Sequence, residues 1–223
     1  MGAAALREQF DSFLGGPLDW RARPHPETVP SGIAEIDLPR GGLTEIVGPA
    51  SSGRTSLLLS ILATATARQE ACALVDAEDA FDPGSAAAAG VLLDRLLWVR
   101  CGHNAEHALK AADLLIQGGG FGLAILDLGD TPLASARRIS LTSWFRLRRA
   151  VENTPSVLVT VARQSLASAC ASLVLECARD RAAWSGAEPS GPPASRLLRG
   201  IRARATSTHR SRTCSPVFTA AAI

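Results

Sequence analysis

Residues 48–56 read GPASSGRTS, with Gly48, Gly53 and Thr55 at the spacing of a loop that wraps phosphate oxygens. Such a loop needs glycines because its backbone N–H groups must close on the anion, and a hydroxyl at the Thr55 position can hold Mg²⁺. The basic residue placed to reach the outer phosphates is Arg54, where the pattern expects lysine. A guanidinium is longer, planar and forked, whereas an ammonium is a compact point charge, so the two are not interchangeable. Nucleotide binding is therefore expected, and fast hydrolysis is not. Two acidic segments can complete the site. LAILDLGD (123–130) is an apolar run that reaches Asp127, a carboxylate suited to holding Mg²⁺ through water. ALVDAEDAFDP (73–83) carries Asp76, Glu78, Asp79 and Asp82 at the end of another apolar run. Glu78 is the candidate to orient or deprotonate an attacking water. Asp79 and Asp82 read as turn or capping residues ahead of Pro83, which can start a helix.

These groups meet only if the apolar runs are parallel strands ending at one sheet edge, where ligands of open α/β sheets collect. Runs at 44–47, 72–77, 96–100, 123–128, 156–162 and 171–177 predict strands. Helices are predicted over 53–68, 84–90, 104–117 and 134–151, the third capped by Asn104 and ended by Gly118, Gly119 and Gly120. Strands apolar throughout, separated by helices, predict an α/β fold with a mostly parallel central sheet covered on both faces. Three regions follow: an N-terminal helix and Pro-rich arm (1–32), a core (33–179) and a basic C-terminal segment (180–223). Within the last, LLRGIRARATSTHRSR and VFTAAA can form a β-hairpin, with basic coil as the competing form.

The net charge of +2 is unevenly distributed. No acid follows Glu188, whereas Arg196, Arg199, Arg202, Arg204, Arg210 and Arg212 do. Arg137, Arg138, Arg146, Arg148 and Arg149 form a second cluster in a predicted helix. Both clusters suit polyanions, either nucleic acid or triphosphate, and both also suit a solvated face. Lys110 is the only lysine, so Arg54 is partly a product of drift toward arginine, without losing its chemical consequence. Five cysteines without ligand spacing read as free thiols in a reducing cytoplasm and give no zinc site. No leader or membrane span is legible, so a cytoplasmic protein is expected.

The succession GPASSGRTSLL, VDAEDAFDP, a short Ala-rich helix ending at Gly90, and LAILDLGD resembles the bacterial RecA recombinase core. The lead-in VPSGIAEIDLPRGGLTEIVGP is similar too, and the resemblance covers about 29–178 with a weaker echo at 196–221. It implies a RecA-like P-loop NTPase core using ATP and Mg²⁺. Gly48, Pro49, Ala50, Ser51, Ser52, Gly53, Arg54, Thr55 and Ser56 would then form the triphosphate cradle. Glu78 would be the catalytic glutamate, and Asp127 would join Thr55 at the metal. Gln164 falls about two positions from the family's γ-phosphate-sensing glutamine, and Arg210 and Arg212 resemble its paired basic residues that reach ATP across a filament interface.

Departures from the family are as informative. Its adenine-stacking aromatic would fall at Ser85, and the segments after Asp127 and after Gln164 are too short for its DNA-binding loops. The chain more closely resembles the short ImuA-type accessory proteins of the SOS response, encoded with error-prone polymerases. Arg54 and Ser85 imply weak ATP binding with little or no hydrolysis, and the resemblance implies DNA-repair partners such as RecA or an error-prone polymerase complex. Non-specific DNA contact would fall to Arg199, Arg202 and Arg204, with no membrane involved. Two alternatives stand beside it: an active RecA-class DNA-dependent ATPase, and a non-catalytic RecA-folded regulator such as a cell-division inhibitor.

Overall fold

The computed structural model describes residues 28–185, 197–209 and 212–221. A small antiparallel pair comes first, β1 (Thr28–Pro30) against β2 (Asp37–Pro39). The main sheet then takes in β3 (Gly42–Val47), β4 (Cys72–Asp76), β5 (Leu96–Arg100), β6 (Leu123–Asp127), β7 (Val157–Ala162) and β8 (Leu173–Trp184). It is completed by β9 (Leu198–His209), β10 (Arg212–Cys214) and β11 (Val217–Ala221). The helices are α1 (Arg54–Ala67), α2 (Pro83–Ala88), α3 (Ala105–Gly118), α4 (Leu133–Ala136) and α5 (Leu141–Val151).

The sheet order is β10-β9-β8-β3-β7-β6-β4-β5, with β11 beside β9. From β8 to β5 every pairing is parallel; β9, β10 and β11 extend the sheet antiparallel. Every residue of β3, β4 and β7 is buried, as expected of strands covered on both faces, whereas edge strand β5 is only partly covered. Alternate residues feed two cores. Leu74, Ile125 and Val159 meet α1 through Leu57, Leu58, Ile61 and Leu62. Val75, Leu126 and Leu158 face α3 and α5 through Ala108, Ala112, Trp144 and Leu147. Each such fully buried large side chain stabilises the fold by roughly 1.5–3 kcal/mol relative to exposure.

Side-chain caps begin three of the five described helices. Asp82 caps α2 by accepting from the N–H groups of Gly84 and Ser85, with Pro83 in the first turn. Asn104 caps α3 by accepting from Glu106 and His107. Where the sequence predicts one helix over 134–151 there are two, because Ser140 turns extended and its hydroxyl accepts from Ser143 N–H to begin α5. The predicted N-terminal helix and Pro-rich arm (1–32) contributes β1 near its end; 1–27 lie outside the described residues. Strand β8 runs on past the charged Arg179, Asp180 and Arg181 to Trp184, and β11 pairs antiparallel with β9 from Gly200–Ala221 to Arg204–Val217.

Candidate functional site

The loop leaves β3 at Val47 and turns into α1 at Arg54. A Cβ at Gly48 would lie 2.5 Å from Ser52 Oγ and 2.6 Å from the Cys177 carbonyl, so only glycine fits. Gly53 has φ +93°, and a Cβ there would meet Ala203 Cβ at 2.7 Å and the Phe218 ring at 3.2 Å. The C-terminal hairpin therefore braces the phosphate loop from behind. Ser51 also takes a left-handed φ of 60°, an uncommon conformation for a side-chain-bearing residue. No side chain caps α1, which leaves first-turn N–H groups without intrahelical partners.

Arg54 is folded back into this loop with only 6% of its surface exposed. Nη1 donates to the Gly48 carbonyl at 2.7 Å. Nη2 donates to the Gly129 carbonyl at 2.7 Å and to Asp130 Oδ1 at 2.9 Å. The sequence predicts this guanidinium reaching toward outer phosphates; it instead ties the loop to the turn that follows β6. Arg163, just after β7, joins the same turn, donating from Nε to Gly129 O at 3.3 Å with Nη2 3.9 Å from Asp130.

Asp127 ends β6 opposite Asp76 of β4, so both carboxylates stand at the same level of the sheet edge. Burial pushes the Asp127 carboxyl up to about 6, against the pull of the Gly129 N–H it accepts at 2.8 Å; Asp76 and Asp130 raise it further and Arg54 lowers it. Asp76 is committed elsewhere. It accepts from the N–H groups of Glu78, Ala80 and Phe81 and from Trp98 Nε1, which shapes the turn that carries Glu78. The Glu78 carboxylate lies 2.9 Å from His103 Nδ1, and among the described residues it has no hydrogen bond to Arg54, Thr55 or Asp127. Asp79 takes Arg100 and the Gly102 N–H, and Asp82 is the α2 cap already described, both as turn and cap residues.

The remaining candidates are distributed. Thr55 is exposed at the start of α1. Gln164 Oε1 accepts from Arg137 Nη2 at 3.2 Å. Arg199, Arg202 and Arg204 are exposed on β9. Arg202 and Arg204 lie 3.7 and 4.0 Å from Asp180, so an acid does offset them, although none follows Glu188 in the sequence. Asp180 can face them because it sits where β8 shifts register against β9 between Arg179 and Arg181. Arg210 lies outside the described residues, and of Arg212 only its backbone place in β10 is described. Among the described residues no cluster of three or more acidic, histidine or cysteine ligands could hold a metal by itself. Cys72 and Cys177 are buried, and burial pushes both thiols to about 12. No described helix is long and apolar enough to cross a membrane.

Three residues outside the predicted set organise the site. Glu45, fully buried in β3, accepts from Ser165 Oγ at 2.6 Å and from the N–H groups of Leu166 and Ala167 at 2.8 Å each, fixing the segment after Gln164. A charge inside the otherwise apolar LTEIV was its signal. Asp130 and His103 had none, because their partners are distant in sequence.

The loop fits a phosphate chain with Mg²⁺. Ser52 Oγ is buried without a hydrogen-bond partner, Gly48 admits no Cβ, and α1 begins uncapped. Thr55 and Asp127 carry side-chain oxygens, the ligand type that Mg²⁺ prefers. Beside the loop, an open hollow of about 300 Å³ is lined by Ser56, Leu59, Ala63 and Ala88, with no aromatic among its walls.

Residues 27–135 match the RecA N-terminal domain. Protein RecA of Rickettsia massiliae is 32% identical over 183 residues, which cover 71% of this chain and 53% of that protein. Protein RecA of Kineococcus radiotolerans is 40% identical over 131 residues, covering 56% of this chain and 37% of that protein. The chain spans about half the length of the Rickettsia relatives it matches.

Proposed function

We propose, from the likeness of residues 27–135 to the RecA N-terminal domain, a RecA-like DNA-repair accessory protein of the SOS response that binds ATP weakly and hydrolyses little or none. The observation that carries this reading is Arg54, buried in the phosphate loop and bonded to Gly48, Gly129 and Asp130. A lysine at that place would offer a mobile point charge to a phosphate; here three of the guanidinium's five N–H donors are already committed within the protein. A phosphate must compete with these partners, Asp130 above all, for the guanidinium, which lowers affinity. The loop N–H groups would hold phosphate oxygens, and Thr55 and Asp127 would hold Mg²⁺. When bound, the metal neutralises charge on the phosphates. Glu78 is the residue for orienting water, and its contact with His103 occupies one carboxylate oxygen.

The accessory role rests on what surrounds the core. Only 163–172 separate β7 from β8, and about half of 128–156 after β6 is taken up by α4 and α5, which leaves little chain to line a DNA strand. Function would then run through protein partners such as RecA or an error-prone polymerase complex. Non-specific DNA contact would come from the arginines of α5 and β9. An active DNA-dependent ATPase is the second reading, favoured by the retention of Thr55, Glu78 and Asp127 together. Steady-state ATP hydrolysis with and without single-stranded DNA separates the two. Turnover at background in both is expected. Turnover stimulated by DNA and abolished by Glu78→Gln would establish the ATPase instead.

A further inference from the structure

The turn Leu128–Asp130 places an acid against the loop arginine, and its neighbour makes room for it. A Cβ at Gly129 would lie 3.1 Å from Arg54 Nε and 2.9 Å from Asp127 Oδ1, so a bulkier residue would crowd the guanidinium out of this position. Gly129 supplies a carbonyl to Arg54 and Arg163, and Asp130 supplies its carboxylate to the same two side chains. The buried end of this network is Arg54; Asp130 and Arg163 are each about half exposed, at 55% and 50%. The anion that compensates Arg54 is thus one that water and solutes can reach.

We infer that Asp130 is an internal anion that competes with phosphate for Arg54, so that nucleotide enters by exchanging one anionic partner of the guanidinium for another. This rests on reading the loop as a nucleotide site. Asp130 is then an affinity-setting residue: it touches no reacting atom and acts through Arg54. Arg163 shares the contact and is released by the same exchange. Without the nucleotide, the Arg54–Asp130 contact closes the loop onto the end of β6 and holds two segments far apart in sequence. Gly48 O and Gly129 O remain as Arg54 acceptors when Asp130 is removed, so the loop keeps its shape.

The test titrates a fluorescent, non-hydrolysable ATP analogue with Mg²⁺ into the full chain carrying Asp130→Asn. Asp180→Asn serves as control, since it removes the same charge from the β8–β9 hairpin without touching Arg54. Removing one half-exposed ion pair should tighten binding about fivefold in Asp130→Asn and leave the control within about twofold of the native chain. A second readout needs no nucleotide: thermal unfolding of Arg54→Ala, Asp130→Asn and the double variant. Their shifts in Tm should be non-additive, because both changes remove one contact. Equal affinities in Asp130→Asn and the control, or additive Tm shifts, would overturn the exchange and leave the nucleotide reading intact. No binding by any variant would overturn both together.

Discussion

Replacing Glu45 should loosen the protein at one identifiable place. The side chain is fully buried in β3, and its two oxygens take three donors from residues 165–167. Glu45→Ala leaves the Ala167 N–H buried and unpaired and the Leu166 N–H partly so; the Ser165 hydroxyl is exposed and can turn to water. An unsatisfied buried donor costs about 1–3 kcal/mol, and relief from burying a carboxylate offsets part of two such losses. A net loss of about 3 kcal/mol is expected, a sizeable part of the roughly 5–15 kcal/mol that holds a domain together. Glu45→Gln keeps one acceptor oxygen and should lose about half as much. In urea, with a slope of about 2–3 kcal/mol/M, the alanine variant's midpoint falls by about 1 M. Hydrogen exchange should quicken over 163–170 more than in α1, since that segment alone loses its anchor. A native-like alanine variant that loses less than about 1 kcal/mol would refute the assignment of Glu45 as the organiser of this turn.

Three further outcomes follow from the same contacts. Asp127 is held up at about 6 when folded, above its unfolded value, so the folded protein takes up a proton there. Its stabilising contribution is full below the unfolded value near 4 and is lost as pH rises through 6; it is at most about 3 kcal/mol, and Asp127→Asn should flatten the pH 4–7 stability profile in metal-free buffer. A profile unchanged by that substitution would contradict the burial of the carboxyl. Phe218→Ala removes a half-buried ring from the core and from the back of Gly53, and should lower stability by about 1–3 kcal/mol in thermal unfolding. Charge reversal at Arg199, Arg202 and Arg204 should weaken single-stranded DNA binding that otherwise fades between about 50 and 200 mM salt. Salt-resistant binding, or binding unchanged by the reversals, would place the DNA contact elsewhere.

Much of the sheet is legible in the sequence because its central strands are buried on both faces, which forces runs such as CALVD, LAILD and VLVTVA to be apolar throughout. The phosphate loop is legible because glycine spacing is a local requirement of closing backbone around an anion. Long-range partnerships are not. Nothing near Arg54 in sequence announces Gly129 or Asp130, 75 and 76 residues away. Asp180 escapes notice as the partner of Arg202 and Arg204 because a register shift brings it to face them. The break before α5 is hidden in the sequence because RRISL (137–141) has no proline or glycine, and only the extended Ser140 cap interrupts the helix there. Strand β8 beyond Cys177 is held by pairing with β9, and its polar residues carry no strand-like pattern of their own.

On this reading Arg54 weakens nucleotide binding by being engaged inside its own loop. Calorimetric titration of the native chain and of Arg54→Lys with Mg²⁺ and a non-hydrolysable ATP analogue tests it directly. A lysine cannot fork across the Gly48 and Gly129 carbonyls and the Asp130 carboxylate together, so it is freer to meet a phosphate. The native chain should bind weakly and only with Mg²⁺, and the variant about tenfold more tightly. Equal or weaker binding by Arg54→Lys, or no binding by either protein, would contradict it.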